Sequence, residues 1–511
     1  VPSPPTVPEF PGQGIPVKGF NVVGSTVFSA EELAAVLEPL VGRELSFAEL
    51  LQAETAITQL YVENGYLNSG AVIPAPQTLE GGIVTVQVIE GGIEEIIVRG
   101  TGRLNPGYVR SRLAIATATP LNVNRLQEAL QLLQLDPLIE NLTAELSVGV
   151  RQELWVLEVD ASRRDAFSLE AIADNSRTPS VGTFQRGPTL THANLLGQGD
   201  SLSIGYRNTD GSDRYEASYT LPINPRNGTI GLNFTLGNNS VIETPFDELD
   251  IESVTRSYEV SFRQPILRNA TPTFTQELAL GIVGSHQQSE TTLDGEPFPL
   301  SLGADAKGNT RVSALRFFQD WTRRDRRQVL AARSQFSLGA NAFDATINDE
   351  EPDSRFFAWR GQFQYLRQIA VSDTTLLFRT DIQLAASDLV PLEQFGIGGI
   401  YSVRGYRQDA LLTDSGVFTS VEMRLPVWRW RQVDGVLSAI PFIDFALGWN
   451  NGDRSTPDPN SLVALGLGLQ WQMSDNFRAR FDYGIPLVNI DSRNRTWQEQ
   501  GLYFSVEYKG F

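Results

Sequence analysis

From Asp165 to the end, the chain reads with a period of two. In "LVALGLGLQW", Val463, Leu465, Leu467, Leu469 and Trp471 share one face, while Ala464, Gly466, Gly468 and Gln470 share the other. "FRARFDYG" sets Phe477, Ala479, Phe481 and Tyr483 against Arg478, Arg480 and Asp482; "TLLFRTDIQL" sets Leu376, Phe378, Ile382 and Leu384 against Arg379, Asp381 and Gln383. Alternation of this kind belongs to strands with two unlike faces. Two architectures use it. A sandwich hides the apolar face, whereas a membrane barrel turns that face to lipid and lines a wet lumen with the polar one.

Loop lengths choose between them. About 16 runs start near 166, 187, 200, 213, 228, 251, 272, 311, 328, 356, 373, 416, 436, 462, 476 and 501, in keeping with the even strand numbers of outer-membrane barrels. Gaps after even-numbered runs are short ("LGQGD", "TRRDRRQ", "MSDN"), and gaps after odd-numbered runs are long: 285 to 310, 341 to 355, 386 to 415, 450 to 461 and 486 to 500. That asymmetry predicts an antiparallel transmembrane β-barrel over 165–511, with both ends of the barrel on the periplasmic side. The closing "GLYFSVEYKGF" alternates through Leu502, Phe504, Val506 and Tyr508, but its last residue, Phe511, is out of phase with Tyr508.

Composition fits this reading. The chain has no cysteine, 2 histidines and a formal charge of -19, which removes a disulfide framework, a Cys-based metal site and a nucleic-acid binder. No stretch approaches the roughly 18 apolar residues of a membrane helix. The opening "VPSPPTVPEFPGQGIP" lacks the features of an export signal and reads as a Pro-rich tail over 1–15, with that signal already removed.

Between tail and barrel lie two copies of one small pattern. Over 16–91, the strand "VKGFNVVG" precedes two helices opened by capping boxes, Ser29 with Glu32 and Ser46 with Glu49. Gly65 sits where a left-handed C-terminal cap is expected, and the strands "SGAVIPAP" and "GGIVTVQVIEGG" follow. The order β-α-α-β-β repeats over 92–162: "IEEIIVRG", a helix at 106–116, "RLQEALQLLQ" capped by Asn124 with Gln127, then "NLTAELSVG" and "ELWVLEVDAS". Gly24 and Gly100 end equivalent strands 76 residues apart. With "NGY" before a strand and the ending "IVTVQVIEGG", the pattern resembles the polypeptide-transport-associated (POTRA) domain.

The sixth long loop, 386–415, carries "FGIGGIYSVRGYRQDA", with the tetrad Val403, Arg404, Gly405 and Tyr406. Two POTRA-like modules, about 16 strands and VRGY in the sixth loop resemble the transporters of two-partner secretion (TpsB proteins), within the wider family of POTRA-bearing outer-membrane barrels. In that family the loop folds into the lumen, and its arginine meets an aspartate of an F-x-D-x-G motif on the wall. "PFIDFALGW" supplies Phe442 and Asp444, with Ala446 at the glycine position and Gly448 two residues late. Alternation separately puts Ile443, Phe445, Leu447 and Trp449 toward lipid and Asp444 into the lumen, where a carboxylate needs a partner. Arg404 is the natural one, with Val403 and Tyr406 packing beside it. The plain alternative is a solvated arginine and one more hydrated lumenal acid.

The resemblance implies a translocation pore, without ATP or any cofactor, for a large exoprotein with an N-terminal secretion domain. It places the chain in the outer membrane of a diderm bacterium, among its lipids, as a monomer with the modules in the periplasm. Capture of the partner by β-augmentation would use the helix end and second strand of the first module, at Tyr61, Gly65, Tyr66, Ser69, Ala71 and Ile73. The rival is an insertase for other barrels, whose relatives carry three or five modules; a passive porin would need neither modules nor tetrad. Pro2, Pro4, Pro5, Pro8 and Pro11 forbid a regular helix in the tail, so the plug helix common in the family either lies upstream of this chain or does not exist.

Remaining signals carry no catalytic chemistry. "GADAKGNT" spaces Gly303 and Gly308 like a phosphate loop but has Asn309 for the lysine, and "GIGG" lacks the strand-to-helix setting of a dinucleotide site. His192 and His286 cannot make a metal cluster, and no nucleophile-base set is present, so no enzyme is expected. Glu243, Asp247, Glu248 and Asp250, and Asp349, Glu350, Glu351 and Asp353, read as solvated acidic loops; Arg323, Arg324, Arg326 and Arg327 sit in a periplasmic turn, where they either steer an acidic substrate or stay solvated.

Overall fold

The computed structural model describes residues 14–77, 79–151, 153–349, 352–369, 373–491 and 495–510. The tail at 1–13, Glu350, Glu351 and Phe511 lie outside the described residues. The chain divides after Arg164 into two units.

In the first unit, Gly19–Val23 runs parallel to Ile83–Ile89, and Gly70–Val72 pairs antiparallel on the other side of Ile83–Ile89. A parallel pair needs a crossover, which the helices Ala30–Leu37 and Phe47–Glu63 provide. Both expected capping boxes form, Ser29 with Glu32 and Ser46 with Glu49. Leu50, Ala53, Ile57 and Tyr61 recur at helical spacing and meet Val84, Val86 and Val88, which recur at strand spacing. Gly65 takes φ +89 just past the helix, as its place in the sequence suggested.

The second module repeats the scheme: Gly92–Arg99 is parallel to Leu154–Arg163, and Ile139–Val148 forms the antiparallel edge. Three details differ from expectation. A small ribbon, Ile15–Val17 with Arg43–Leu45, is added to the first module. "SGAVIPAP" yields a strand only over Gly70–Val72, because Pro74 and Pro76 have no N–H to give. The helix Val123–Gln134 is capped by Asn122, whose side chain accepts from the N–H groups of Asn124 and Arg125; Asn124 lies inside the first turn.

The second unit is a closed antiparallel barrel of sixteen strands. They are β1 (Phe167–Asp174), β2 (Gln185–Ala193), β3 (Ser201–Asn208), β4 (Ser212–Pro222), β5 (Thr229–Ser240), β6 (Ile251–Ala270), β7 (Phe274–Leu293) and β8 (Asn309–Asp325). Then come β9 (Gln328–Ala340), β10 (Phe357–Gln368), β11 (Thr375–Ala385), β12 (Ser415–Trp430), β13 (Gly435–Trp449), β14 (Ser461–Met473), β15 (Phe477–Pro486) and β16 (Leu502–Lys509). Each run read from the sequence starts within 2 residues of a strand.

Turns at one end are tight, as at 326–327, 431–434 and 474–476, while the other end carries 341–356, 386–414, 450–460 and 487–501. The expected loop at 285–310 shrinks to 294–308, since β7 continues to Leu293. In "SHQQSETT" both faces are polar, so alternation is invisible there although the ladder continues. Arg323 and Arg324 likewise end β8 and only Arg326 and Arg327 form the turn.

Outward side chains are apolar and open to the surroundings: Ile443, Phe445, Leu465, Leu467, Leu469 and Trp471. Trp428, Trp430, Trp471 and Phe477 join in a chain of ring contacts at the tight-turn end, the position of an interfacial aromatic girdle. Polar residues point inward, and Asp444 and Asp482 have no solvent exposure.

Candidate functional site: an arginine-clamped loop in the barrel

The loop between β11 and β12 turns into the lumen and folds on itself, Phe395–Ile397 pairing with Leu411–Thr413. At its tip Arg404 is the largest fully buried side chain, 1% exposed. Its Nε and Nη2 donate to Asp444 at 2.7 and 2.8 Å, the two-pronged arrangement that a planar guanidinium offers a carboxylate. Nη1 donates to Glu422 at 2.7 Å and, more weakly, to Asp482 at 3.4 Å. The ring of Phe442 lies 3.4 Å beneath the guanidinium carbon, adding a cation–π contact.

These partners stand on three strands, β12, β13 and β15, whose inward registers bring them to one spot. Arg480 shares the cluster, binding Asp482 at 2.7 and 2.8 Å and Glu422 at 3.1 Å. Three carboxylates thus meet two closely bonded arginines, and with Arg379 at 3.6 Å and Arg424 at 3.7 Å from Glu422 the cluster holds four guanidinium groups. An unpaired charge buried this deeply would be costly; here every carboxylate has a cation.

The rest of the tetrad fixes the tip. Gly405 adopts φ +100, a left-handed conformation that disfavours side chains, and a Cβ there would also lie 3.1 Å from Pro486 N. The backbone of Gly405 passes so close to Gly484 that a Cβ on Gly484 would stand 2.6 Å from Gly405 N. Val403 and Tyr406 are buried with Phe395, Ile397, Phe418, Ala446, Leu462 and Ala464. The Tyr406 hydroxyl bonds the carbonyls of Val463 and Val488, each at 2.9 Å. Ala446, at the motif's glycine position, puts its methyl group into this same apolar cluster.

Two further pairs hold the loop. Arg316 on β8 grips Glu393 at 2.7 and 3.0 Å, and Arg407 grips Glu243, in the loop before β6, at 2.8 and 2.9 Å. Glu243 is therefore an ion-pair partner and not one more solvated acid. Across the lumen, β2–β7 line a cavity of about 630 Å³ whose wall includes Thr189, Ser203, Ser218, Asn233, Thr235 and Thr255.

Arg404 thus meets Asp444 and Phe442, and Val403, Gly405 and Tyr406 pack at the same loop tip. Glu422, Asp482, Arg480, Gly484 and Tyr503 were not singled out, although alternation in "FRARFDYG" had already turned Arg480 and Asp482 inward. In the first module, Tyr61, Gly65, Ser69 and Ala71 are buried, and Tyr66 and Ile73 partly so. Tyr61 belongs to the core, its hydroxyl bonded to Ser25 and Glu90 at 2.8 and 2.9 Å, so it offers no contact surface. The N–H groups of Ala71 and Ile73 are taken by Thr58 and Glu54. Among the described residues no group of His, Asp or Glu is arranged to hold a metal.

A closed barrel that holds its own sixth loop in the lumen, preceded by POTRA-like modules, has the architecture of POTRA-bearing outer-membrane barrels, and its similarity to known proteins makes the chain one of the transporters and not an enzyme. The chain belongs to the haemolysin secretion/activation protein family ShlB/FhaC/HecB, whose model matches residues 156–471, and a ShlB-type POTRA domain matches 15–91. It is 23% identical to the heme/hemopexin transporter protein HuxB of Haemophilus influenzae, covering 91% of this chain and 83% of that one. It is 24% identical to the outer membrane transporter CdiB of Escherichia coli O6:K15:H31, over 96% of this chain and 82% of that protein. The solved structure of CdiB from Escherichia coli superposes with a TM-score of 0.72 at 20% identity, over 99% of this chain and 93% of that one.

Proposed function

We propose that the barrel carries one large partner protein, bearing an N-terminal secretion domain, from periplasm to cell surface, with the VRGY loop as its gate. The observation that carries this is the burial of Arg404 among Asp444, Glu422 and Asp482: a loop held by charge pairs inside a polar lumen is a closed state that can be opened. Passage of a chain requires the loop to shift, so the pairs act as strut and switch together. No nucleotide takes part; folding outside, where the exported chain buries surface, keeps it from sliding back.

The N-terminal modules capture the partner by strand addition. At Gly70–Val72 the engaged N–H groups of Ala71 and Ile73 would first have to be released by Thr58 and Glu54. The edge strand Ile139–Val148 of the second module is longer and mostly exposed, including Leu146 and Val148, which makes it the better template. Deleting the protein in its host, with and without a plasmid copy, tests the reading. Loss of one large surface protein, restored by the copy, with other outer-membrane proteins at normal levels, is the expected result. General loss of outer-membrane barrels would make the chain an insertase.

A further inference from the structure

A second lumenal cavity, of about 530 Å³, reaches across the barrel from β1–β3 to β11–β12 and β14–β16. Its lining includes Gln472 and Arg478, which flank the tight turn at 474–476, and Ile400 and Tyr401 of the sixth loop. The cavity therefore lies between the loop and the tight-turn end. Tyr401 is 68% exposed, so its ring is open to whatever enters.

The charges here do not cancel locally. Arg207, Arg379, Arg424, Arg478 and Arg480 line the cavity with Glu170, Asp174, Glu422 and Glu507. Those carboxylates have other commitments. Glu422 accepts from Arg404 and Arg480, Glu507 from Arg478 at 3.2 Å and Asp174 from Ser176, while Glu170 stands 4.0 Å from Lys509. Arg379 and Arg424 are 3.6 and 3.7 Å from Glu422, near enough to feel its charge and too far for a hydrogen bond. Their side chains stay 28% and 34% exposed, which leaves the guanidinium heads within reach of a ligand. On the opposite wall, Arg207 donates to the Thr189 hydroxyl at 3.5 Å, a weak bond. Arg207 Nη1, Arg379 Nε and Arg424 Nε are buried atoms with no hydrogen-bond partner among the described residues. Arg379, Arg478 and Arg480 also press like charge on Arg424. An anion placed among these groups would relieve the repulsion and accept the unused N–H groups.

We infer that this cavity is a carboxylate-binding site for a polypeptide, in which Arg207, Arg379 and Arg424 take the acidic side chains of a segment entering from the tight-turn end and Tyr401 supplies an exposed ring beside them. Arg379 and Arg424 stand on neighbouring strands and Arg207 across the lumen, so the charges are spread, and neither a helix N-terminus nor a glycine-rich turn contributes to the lining. That arrangement suits several carboxylates along an extended chain better than one compact phosphate. The inference rests on the barrel being a conduit for protein, and it adds that the segment reaching this point is acidic.

Fluorescence anisotropy on the full chain in lipid nanodiscs tests it, with a fluorescein-labelled peptide of alternating Asp and Gly as probe and the same peptide with Asn for Asp as control. Heat-dependent gel mobility checks that each variant has folded. The Asp peptide is expected to bind at least about tenfold more tightly than the Asn peptide. Arg379→Gln combined with Arg424→Gln should weaken it by about tenfold or more, Arg207→Gln severalfold, and the Arg379→Lys, Arg424→Lys pair should retain most of the binding. Equal binding of the two peptides, undiminished binding in the Gln pair, or a loss that the Lys pair does not restore overturns the site. Displacement by millimolar inorganic phosphate at constant ionic strength would make it a site for small anions and overturn the polypeptide assignment. Binding is read without any channel opening, so its absence leaves the gate reading standing, and an inert Arg404→Ala channel would leave the binding result standing.

Discussion

Replacing Arg404 by alanine removes the centre of the lumenal cluster, and the consequences can be worked from the contacts. The variant loses two close bonds to Asp444, one to Glu422, a weaker one to Asp482 and the stacking on Phe442. Glu422 and Asp482 keep Arg480. Asp444 keeps the backbone N–H of residue 404, at 3.2 Å, and becomes a buried carboxylate that has lost its directly bonded cation. Breaking a buried pair from one side costs roughly 3–5 kcal/mol. The lower bound applies here, because the wet lumen can rehydrate the abandoned acids, and about 3 kcal/mol shifts the docked-to-released ratio of the loop by about two orders of magnitude. Single-channel recording in planar bilayers reads this as a rise in open probability or in large, long openings. Arg404→Lys, which keeps the charge but not the fork, should fall between wild type and alanine. In a double-mutant cycle with Asp444→Ala, the two changes should be strongly non-additive. Open probability unchanged in Arg404→Ala, or strict additivity in the cycle, would refute the reasoning.

Other perturbations follow from the same geometry. Arg316→Ala frees Glu393 and should also raise channel opening, by less than Arg404→Ala, since Arg316 grips only one carboxylate. Gly484→Ala drives a methyl group against the backbone of Gly405 and should unseat the tip, seen as new protease cleavage at 400–410 with gel mobility of the folded barrel retained. Ser46→Ala removes an N-cap and should lower the stability of the first module by about 1 kcal/mol in thermal melts of the full chain. Hydrogen bonds from Ser46 hold the Glu49 carboxyl below its ordinary range. With the folded pKa depressed, its contribution is present above the unfolded value and lost as pH falls through the folded one, so melts in acid should show a smaller difference between Ser46→Ala and wild type.

Much of this architecture is legible because two faces in unlike surroundings force alternation. Where the surroundings become alike, as in "SHQQSETT" at the top of β7, the pattern fades and a strand reads as loop. Alternation put Asp444 on the lumenal side of its strand, but its pairing with Arg404 came from the resemblance of the VRGY loop and the F-x-D stretch to a known family. Glu422 and Asp482 could not be joined to them, because alternation gives the side of the wall but not the register between strands, and that register alone stacks β12, β13 and β15 into one cluster. The edge at Gly70–Val72 illustrates the opposite failing: a strand can be read from its residues, yet only the fold reveals that Thr58 and Glu54 already occupy its outer donors.

The central claim is that apolar side chains of the barrel face lipid while the opposite side chains line a lumen, and the absence of native cysteine makes a direct measurement possible. Single cysteines along β5 at Ile230, Leu232, Asn233 and Thr235, in vesicles, can be tested with a membrane-impermeant maleimide and with a lipid-dissolved fluorescence quencher. The account predicts that 230 and 232 respond only to the quencher and 233 and 235 only to the maleimide. Equal responses at neighbouring positions, or maleimide labelling at 230 and 232, would contradict it.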